Sequence, residues 1–165
     1  MINMSPIAES VPDLKAHERW MVLALAEAER ARQLDEVPVG AVVVYRGKLV
    51  GVGCNRPITS NDPTSHAEIQ AIRQACDSEQ NYRLPGTTMY VTIEPCVMCV
   101  GAMVHARIDT VVFGAREPKA GALVSQMTLG QAPHFNHELQ VIEGVLVEDC
   151  RSIMQTFFKS KRSKA

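Results

Sequence analysis

Two short stretches of this chain place reactive side chains close together: His66-Ala67-Glu68, and Pro95-Cys96-Val97-Met98-Cys99. Cys96 and Cys99 lie three apart, a spacing that turns both sulfurs to one side of a first helical turn. There the positive end of the helix favours thiolate over thiol. His66 and Glu68 are two apart, hence ~200° apart around an ideal helix, so they cannot share a site on its side. They can share one that lies over its end.

Two thiolates and one imidazole suit a tetrahedral zinc ion held at roughly 2.0 to 2.3 Å, with one position left for water. The set balances the dication, so two positive helix ends can approach it without net repulsion. Water in the open position has a pKa lowered from ~15.7 to a value of order 7 at the most favourable sites. Glu68 then handles protons, provided it stands beside the metal rather than on it. The bland alternatives remain open on these residues alone. A lone C-x-x-C also serves structural zinc and redox sites, with Cys54, His105, His134 or His137 as a possible fourth ligand, and Glu in a first turn is expected from the helix dipole.

The rest of the chain must position these groups. With 165 residues, 46% hydrophobic and 21% charged, it can bury one core, so a single domain spanning residues 1–165 is expected. No apolar run approaches the ~18 to 20 residues of a membrane helix, and the first twenty residues lack a basic-then-apolar signal, which predicts a cytoplasmic protein that does not enter a membrane. Residues 1–150 hold 12 Lys and Arg against 18 Asp and Glu, whereas residues 151–165 hold five basic residues and no acid. A basic end on an acidic body points to a polyanionic partner.

The apolar stripe Trp20, Leu23, Ala24, Ala28 and Ala31 predicts a helix over about 14–34, capped by Asp13. GAVVVY (40–45), the turn RGK and LVGVG (49–53) read as a hairpin. Residues 55–65 are a loop whose Ser65 or Thr64 can cap a helix over 66–76. TTMYVTI (87–93) is a strand, Pro95 suits the first turn of a helix over 96–106, and TVVFGA (110–115) is a further strand. Residues 116–137 form a loop region with room for a short helix, 139–144 a fifth strand, and 147–162 an amphipathic helix with basic last turns. Helices alternating with strands predict an α/β fold, three layers α/β/α about a mixed five-stranded sheet.

H-x-E followed some thirty residues later by P-C-x-x-C, each opening a helix, resembles the signature of the zinc deaminases. The chain is similar to the bacterial tRNA-specific adenosine deaminases, within the cytidine deaminase-like superfamily. The likeness runs through VPVGAVVV (37–44), NRPI (55–58), DPTSHAEIQAIR (62–73), NYRL (81–84), YVTIEPCVMCVGAMVHARI (90–108), VVFGAR (111–116) and FFKSKR (157–162). It implies a cytidine deaminase-like fold, one zinc ion per subunit on His66, Cys96 and Cys99, and Glu68 as proton shuttle. It implies hydrolytic deamination of the first anticodon adenosine of tRNA to inosine by a homodimer. Asn55 and the amide of Ala67 match family contacts to the flipped nucleotide.

After VVFGAR, members usually carry Asp in a loop contacting the neighbouring nucleotide, whereas this chain has Glu117 before Pro118. The anticodon loop is the expected partner, and Phe157, Phe158, Lys159, Lys161, Arg162 and Lys164 are candidates to meet it, with 159–165 a basic tail. The alternatives are a zinc deaminase of a free nucleobase or nucleoside, such as guanine or cytidine, and a non-enzymatic zinc-binding RNA module. Met89, Met98 and Met103 are expected in the core or a subunit interface, and Cys54, Cys76 and Cys150 as buried small apolar groups.

Overall fold

Four helices and five strands alternate along the chain in the computed structural model, which describes residues 14–164. They are α1 (Leu14–Gln33), β1 (Gly40–Tyr45), β2 (Lys48–Cys54), α2 (Ala67–Glu79), β3 (Thr87–Ile93), α3 (Val97–Ala106), β4 (Thr110–Ala115), β5 (Gln140–Glu143) and α4 (Val147–Arg162). The sheet order is β2-β1-β3-β4-β5. β1 is antiparallel to both β2 and β3, while β3–β4 and β4–β5 are parallel, which makes the sheet mixed as the hairpin required. The expected cap Asp13 lies outside the described residues.

The hairpin turn is shorter than the sequence reading had it. Only Arg46 and Gly47 lie outside the strands, both with positive φ (48° and 72°), the two-residue geometry whose twist matches flanking strands. Lys48 and Cys54 therefore join β2. In the long segment after β4 the one regular element is a short 3-10 turn at Leu129–Gln131.

Alternation along the strands sends side chains to two layers. Ala41, Val43, Met89, Val91, Val111 and Phe113 face α2 and α3. Val42, Val44, Tyr90 and Val112 face α1 and α4. β1, β3 and β4 are thus buried on both faces, which is why they read as continuous β-branched runs rather than alternating ones.

Helix α2 meets the hairpin through its smallest residues, Ala67, Ala71 and Ala75. It approaches so closely that a Cβ on Gly53 would stand 2.2 Å from the Ala67 carbonyl oxygen. Met89 and Met103 are fully buried and Met98 is partly so. Cys54 and Cys150 are buried and Cys76 is partly buried, as expected of small apolar groups.

The topology fixes where the reactive stretches meet. Because β1 is antiparallel to both neighbours, β2 and β3 run the same way and finish at the same end of the sheet. Each is followed by a helix that starts there, and the ends of strands in such sheets are where ligands bind.

Candidate metal centre

His66 and Cys96 are the N-caps of α2 and α3, with extended backbones (φ −75°, ψ 155° and φ −79°, ψ 173°). A cap side chain ordinarily bonds the first-turn amides. Here neither does, so both side chains remain available beyond the helix ends. The expected caps Ser65 and Thr64 are occupied otherwise, and that reading is corrected. Ser65 Oγ accepts from Gln70 Nε2 at 2.6 Å, and Thr64 bonds Asp62 Oδ1 through its amide (2.9 Å) and hydroxyl (2.7 Å). Pro95 stands one residue before the cap rather than in the first turn, because Cys96 takes the cap position.

His66 Nδ1 lies 3.6 Å from both Cys96 Sγ and Cys99 Sγ. All three donor atoms fall within 4.8 Å of one another. A tetrahedral ion with ~2.3 Å bonds to sulfur and ~2.05 Å to nitrogen sets its N and S donors about 3.5 Å apart, so the donor set fits zinc. Among the described residues, neither Cys54, His105, His134 nor His137 joins the group. Three ligands with an open fourth position is the arrangement of a catalytic rather than a closed structural site. His137 instead bonds the Ile108 carbonyl at 2.6 Å, His134 makes a tilted ring contact with Phe135 (centroids 4.5 Å apart), and His17 bonds the Tyr90 hydroxyl at 2.9 Å.

The electrostatics separate the two cysteines. The Cys99 thiol and the His66 imidazole hold Cys96 as a thiolate, its pKa pulled down to about 4. The resulting partner sulfur, burial and the nearby Glu68 carboxylate push Cys99 far up. The Cys96 thiolate raises His66. Glu68, in the first turn of α2 and only 4% exposed, is raised chiefly by burial, which suits a carboxyl that must both take and give a proton.

The remaining sequence candidates divide into three groups. Asn55 follows β2 directly and is 8% exposed, its amide bonded to the Val39 carbonyl at 3.0 Å. Its side-chain amide is not engaged by another described residue. Ala67 is the first residue of α2 and fully buried, and its amide is one of the first-turn donors that a helix cannot satisfy internally. The loop between them is closed by the Arg56 amide on the Ser65 carbonyl (2.9 Å).

Glu117 is half-buried, and its carboxylate takes the Lys119 amide at 3.0 Å, closing its own turn. In α4, Phe157 is buried and Phe158 is exposed, so the pair straddles the core boundary with an edge-on contact at 5.4 Å. Lys159 and Arg162 are exposed, whereas Lys161 is drawn back onto Asp35 at 2.5 Å and over the Phe157 ring.

Two buried acids escaped the sequence reading. Glu94 directly follows β3, immediately before the Pro-Cys turn, and Glu36 precedes β1 and takes the Thr59 amide at 2.6 Å. The available signal was a carboxylate embedded in an otherwise β-branched, apolar context, where burial energy cannot account for it.

Residues 14–115 match the family described as the cytidine and deoxycytidylate deaminase zinc-binding region. Fold and site accordingly define a zinc-dependent deaminase. The tRNA-specific adenosine deaminase of Haemophilus influenzae is 45% identical over 148 residues, 89% of this chain and 86% of that one. A solved structure from work on A-to-I editing by tRNA:A34 deaminases at the wobble position of transfer RNA matches with a TM-score of 0.80 and 42% identity, covering 82% of this chain and 98% of that one. The guanine deaminase of Bacillus subtilis matches with a TM-score of 0.58 and 39% identity, over 61% of this chain and 64% of that one. The chain belongs to the tRNA-specific adenosine deaminase family.

Proposed function

We propose that the protein converts the first anticodon adenosine of tRNA to inosine by hydrolysis, in one zinc-dependent domain spanning residues 1–165. The observation that carries this reading is the trio His66, Cys96 and Cys99 at metal-binding separations, with the buried Glu68 in the first turn beside it. Those three side chains would hold the ion, and zinc when bound supplies Lewis acidity to a water nucleophile.

Glu68 does the proton work. Its carboxylate takes one proton of the attacking water as C6 of adenine becomes tetrahedral and delivers it to ring nitrogen N1. It then takes the proton of the new C6 hydroxyl and passes it to the C6 amino group, which leaves as ammonia as the C–N bond breaks and the carbonyl forms. Burial, by lifting the pKa toward the working pH, makes both directions of transfer accessible. Asn55 and the Ala67 amide, at the two ends of one closed loop, would orient the base through directional hydrogen bonds. The base has to leave its stack to reach them, which takes less energy in an anticodon loop than in a duplex.

The basic face of α4, with Phe158, Lys159 and Arg162 exposed, supports a polyanionic partner. Phe157 is buried, and its contribution is to anchor that face. The outward side of α3 supports a homodimer. Val97 is 56% exposed, Met98 and Ala102 are half-buried, and a Cβ on Gly101 would meet no atom within 4 Å. This apolar strip starts beside Cys96, so a second subunit there would border the site. No helix among the described residues is long and apolar enough to cross a membrane, in keeping with a cytoplasmic enzyme acting on tRNA.

The kinship with a guanine deaminase keeps one rival in view, so the test offers both substrates. Purified protein is incubated with an anticodon stem-loop RNA, free adenosine, guanine and cytosine, and the inosine, xanthine and uracil formed are measured. Inosine in RNA alone is expected, and Glu68→Ala should keep zinc and fold while losing roughly 10²- to 10⁴-fold in rate. Xanthine from guanine with unmodified RNA would overturn the substrate assignment. A Glu68→Ala protein as active as wild type would overturn the mechanism.

A further inference from the structure

Glu94 stands between the end of β3 and the Pro95-Cys96 turn and is 3% exposed. Its carboxylate is surrounded by donors from one segment only. Oε2 accepts the Glu117 amide at 3.1 Å. Oε1 accepts the amides of Leu123 (3.2 Å), Val124 (2.7 Å) and Ser125 (2.8 Å), and the Ser125 hydroxyl bonds Oε2 as well. Two main-chain bonds run alongside, from the Glu94 amide to the Ala115 carbonyl (2.8 Å) and from the Ala122 amide to the Pro95 carbonyl (2.9 Å). At Gly121 the segment passes so near that a Cβ would lie 2.3 Å from the carboxylate.

Residues 117–125 are therefore wound around a side chain rooted in the turn that carries the metal-ligating cysteines. Four amides and a hydroxyl converge on it, a set of donors that an acceptor-only group satisfies and a carboxamide does not, since its NH2 would oppose an N–H. The segment lacks helix or strand of its own through residue 125, so this carboxylate, together with turn bonds such as the Gly121 amide to the Glu117 carbonyl (2.9 Å), sets its shape.

We propose that Glu94 is a positioning residue for RNA recognition. It holds the 117–125 segment, Glu117 included, in register with Cys96 and Cys99, so that the nucleotide beside the target adenosine meets a fixed surface while C6 reaches the metal centre. This rests on the tRNA reading above. The Lys119 amide on the Glu117 carboxylate (3.0 Å) turns the segment at its start.

The test compares wild type with Glu94→Gln and the milder Ser125→Ala, all as zinc-loaded protein. Zinc content, KM and kcat on the stem-loop RNA, and amide hydrogen exchange at 117 and 123–125 are measured. Both variants should retain one zinc per chain, expose the segment's amides to faster exchange with α3 unchanged, and raise KM, at least tenfold for Glu94→Gln and a few-fold for Ser125→Ala, with kcat within about threefold. Unchanged exchange at these amides, or faster exchange with KM unaltered, would overturn the proposal. Loss of zinc with collapse of kcat in the milder variant would overturn it too, by assigning the residue to the metal ligands. A wild-type protein inactive on RNA would refute the tRNA reading, while the exchange pattern would still report whether Glu94 orders the segment.

Discussion

Replacing Gly53 with alanine tests how the fold delivers His66 to the metal. The added Cβ would lie 2.2 Å from the Ala67 carbonyl oxygen, 2.6 Å from the Ala71 amide nitrogen and 2.7 Å from Gln70 Cβ, and two of these are backbone atoms that no rotamer change can move. Restoring ordinary contact near 3.4 Å means a retreat of about 1 Å by the first turn of α2. His66 caps that turn, while its partners Cys96 and Cys99 ride on α3 and stay in place. Zinc bonds tolerate about ±0.2 Å, so a displacement of this size opens the site.

Overpacking of this kind costs about 1 to 3 kcal/mol, or a fall in Tm of roughly 2 to 12 °C for a domain of this size. Misplacement by about 1 Å should lower kcat/KM by ~10². The control is Gly51→Ala, whose Cβ would meet the Ala71 carbonyl at 2.3 Å one turn further along α2. It should destabilise similarly but leave zinc affinity nearer wild type. Thermal melts, competition with a chromogenic chelator and the RNA assay measure the three quantities. Equal loss of zinc affinity in both variants, or full affinity in Gly53→Ala, would refute the idea that this contact sets the ligand's position.

Three further outcomes follow from the same structure. Cys150 is fully buried and burial pushes its thiol up to about 12, so between the unfolded value of about 9.0 and that figure only the unfolded chain loses this proton, and stability falls as pH rises. Urea unfolding at pH 7.5 and 10 should show wild type losing about 1.4 kcal/mol more than Cys150→Ala over that range, and identical losses would contradict the burial argument. Metal loading should release protons. At pH 7 the zinc-free site already holds Cys96 as thiolate, with pKa about 4, but keeps the Cys99 proton, so an indicator dye should record at least one proton per zinc, and fewer than one would be inconsistent. Finally, Lys159→Ala and Arg162→Ala should each weaken tRNA binding and flatten its log–log salt dependence by about 0.7 to 0.9, whereas unchanged slopes would reduce the tail to a solvated surface.

The candidate metal ligands His66, Cys96 and Cys99 were legible in the sequence because their chemistry depends on residue type and on short spacings that survive without a structure. The element order was legible for a related reason. Doubly buried strands read as β-branched runs, and the alanine stripe of α1 keeps helical period. Details set by competition were not. Ser65 and Thr64 are good caps by type, but Gln70 and Asp62 claim them, and only tertiary placement decides such a contest. Glu94 was harder to read for a different reason: a carboxylate beside a β-branched strand stands out by type, but its partners, four backbone amides and the Ser125 hydroxyl, lie 23 to 31 positions away, and the amides carry no residue-type signature.

The division of the site between two helix starts also sets a timetable for the growing chain. His66 precedes Cys99 by 33 positions, so at synthesis rates of roughly 5 to 20 residues per second the histidine waits about 2 to 7 s for the second sulfur. During that interval the hairpin and α2 can assemble without a complete set of ligands. A newly made molecule cannot acquire its ion on the first half of its length, and its maturation as an enzyme begins only after β3 has been laid beside β1.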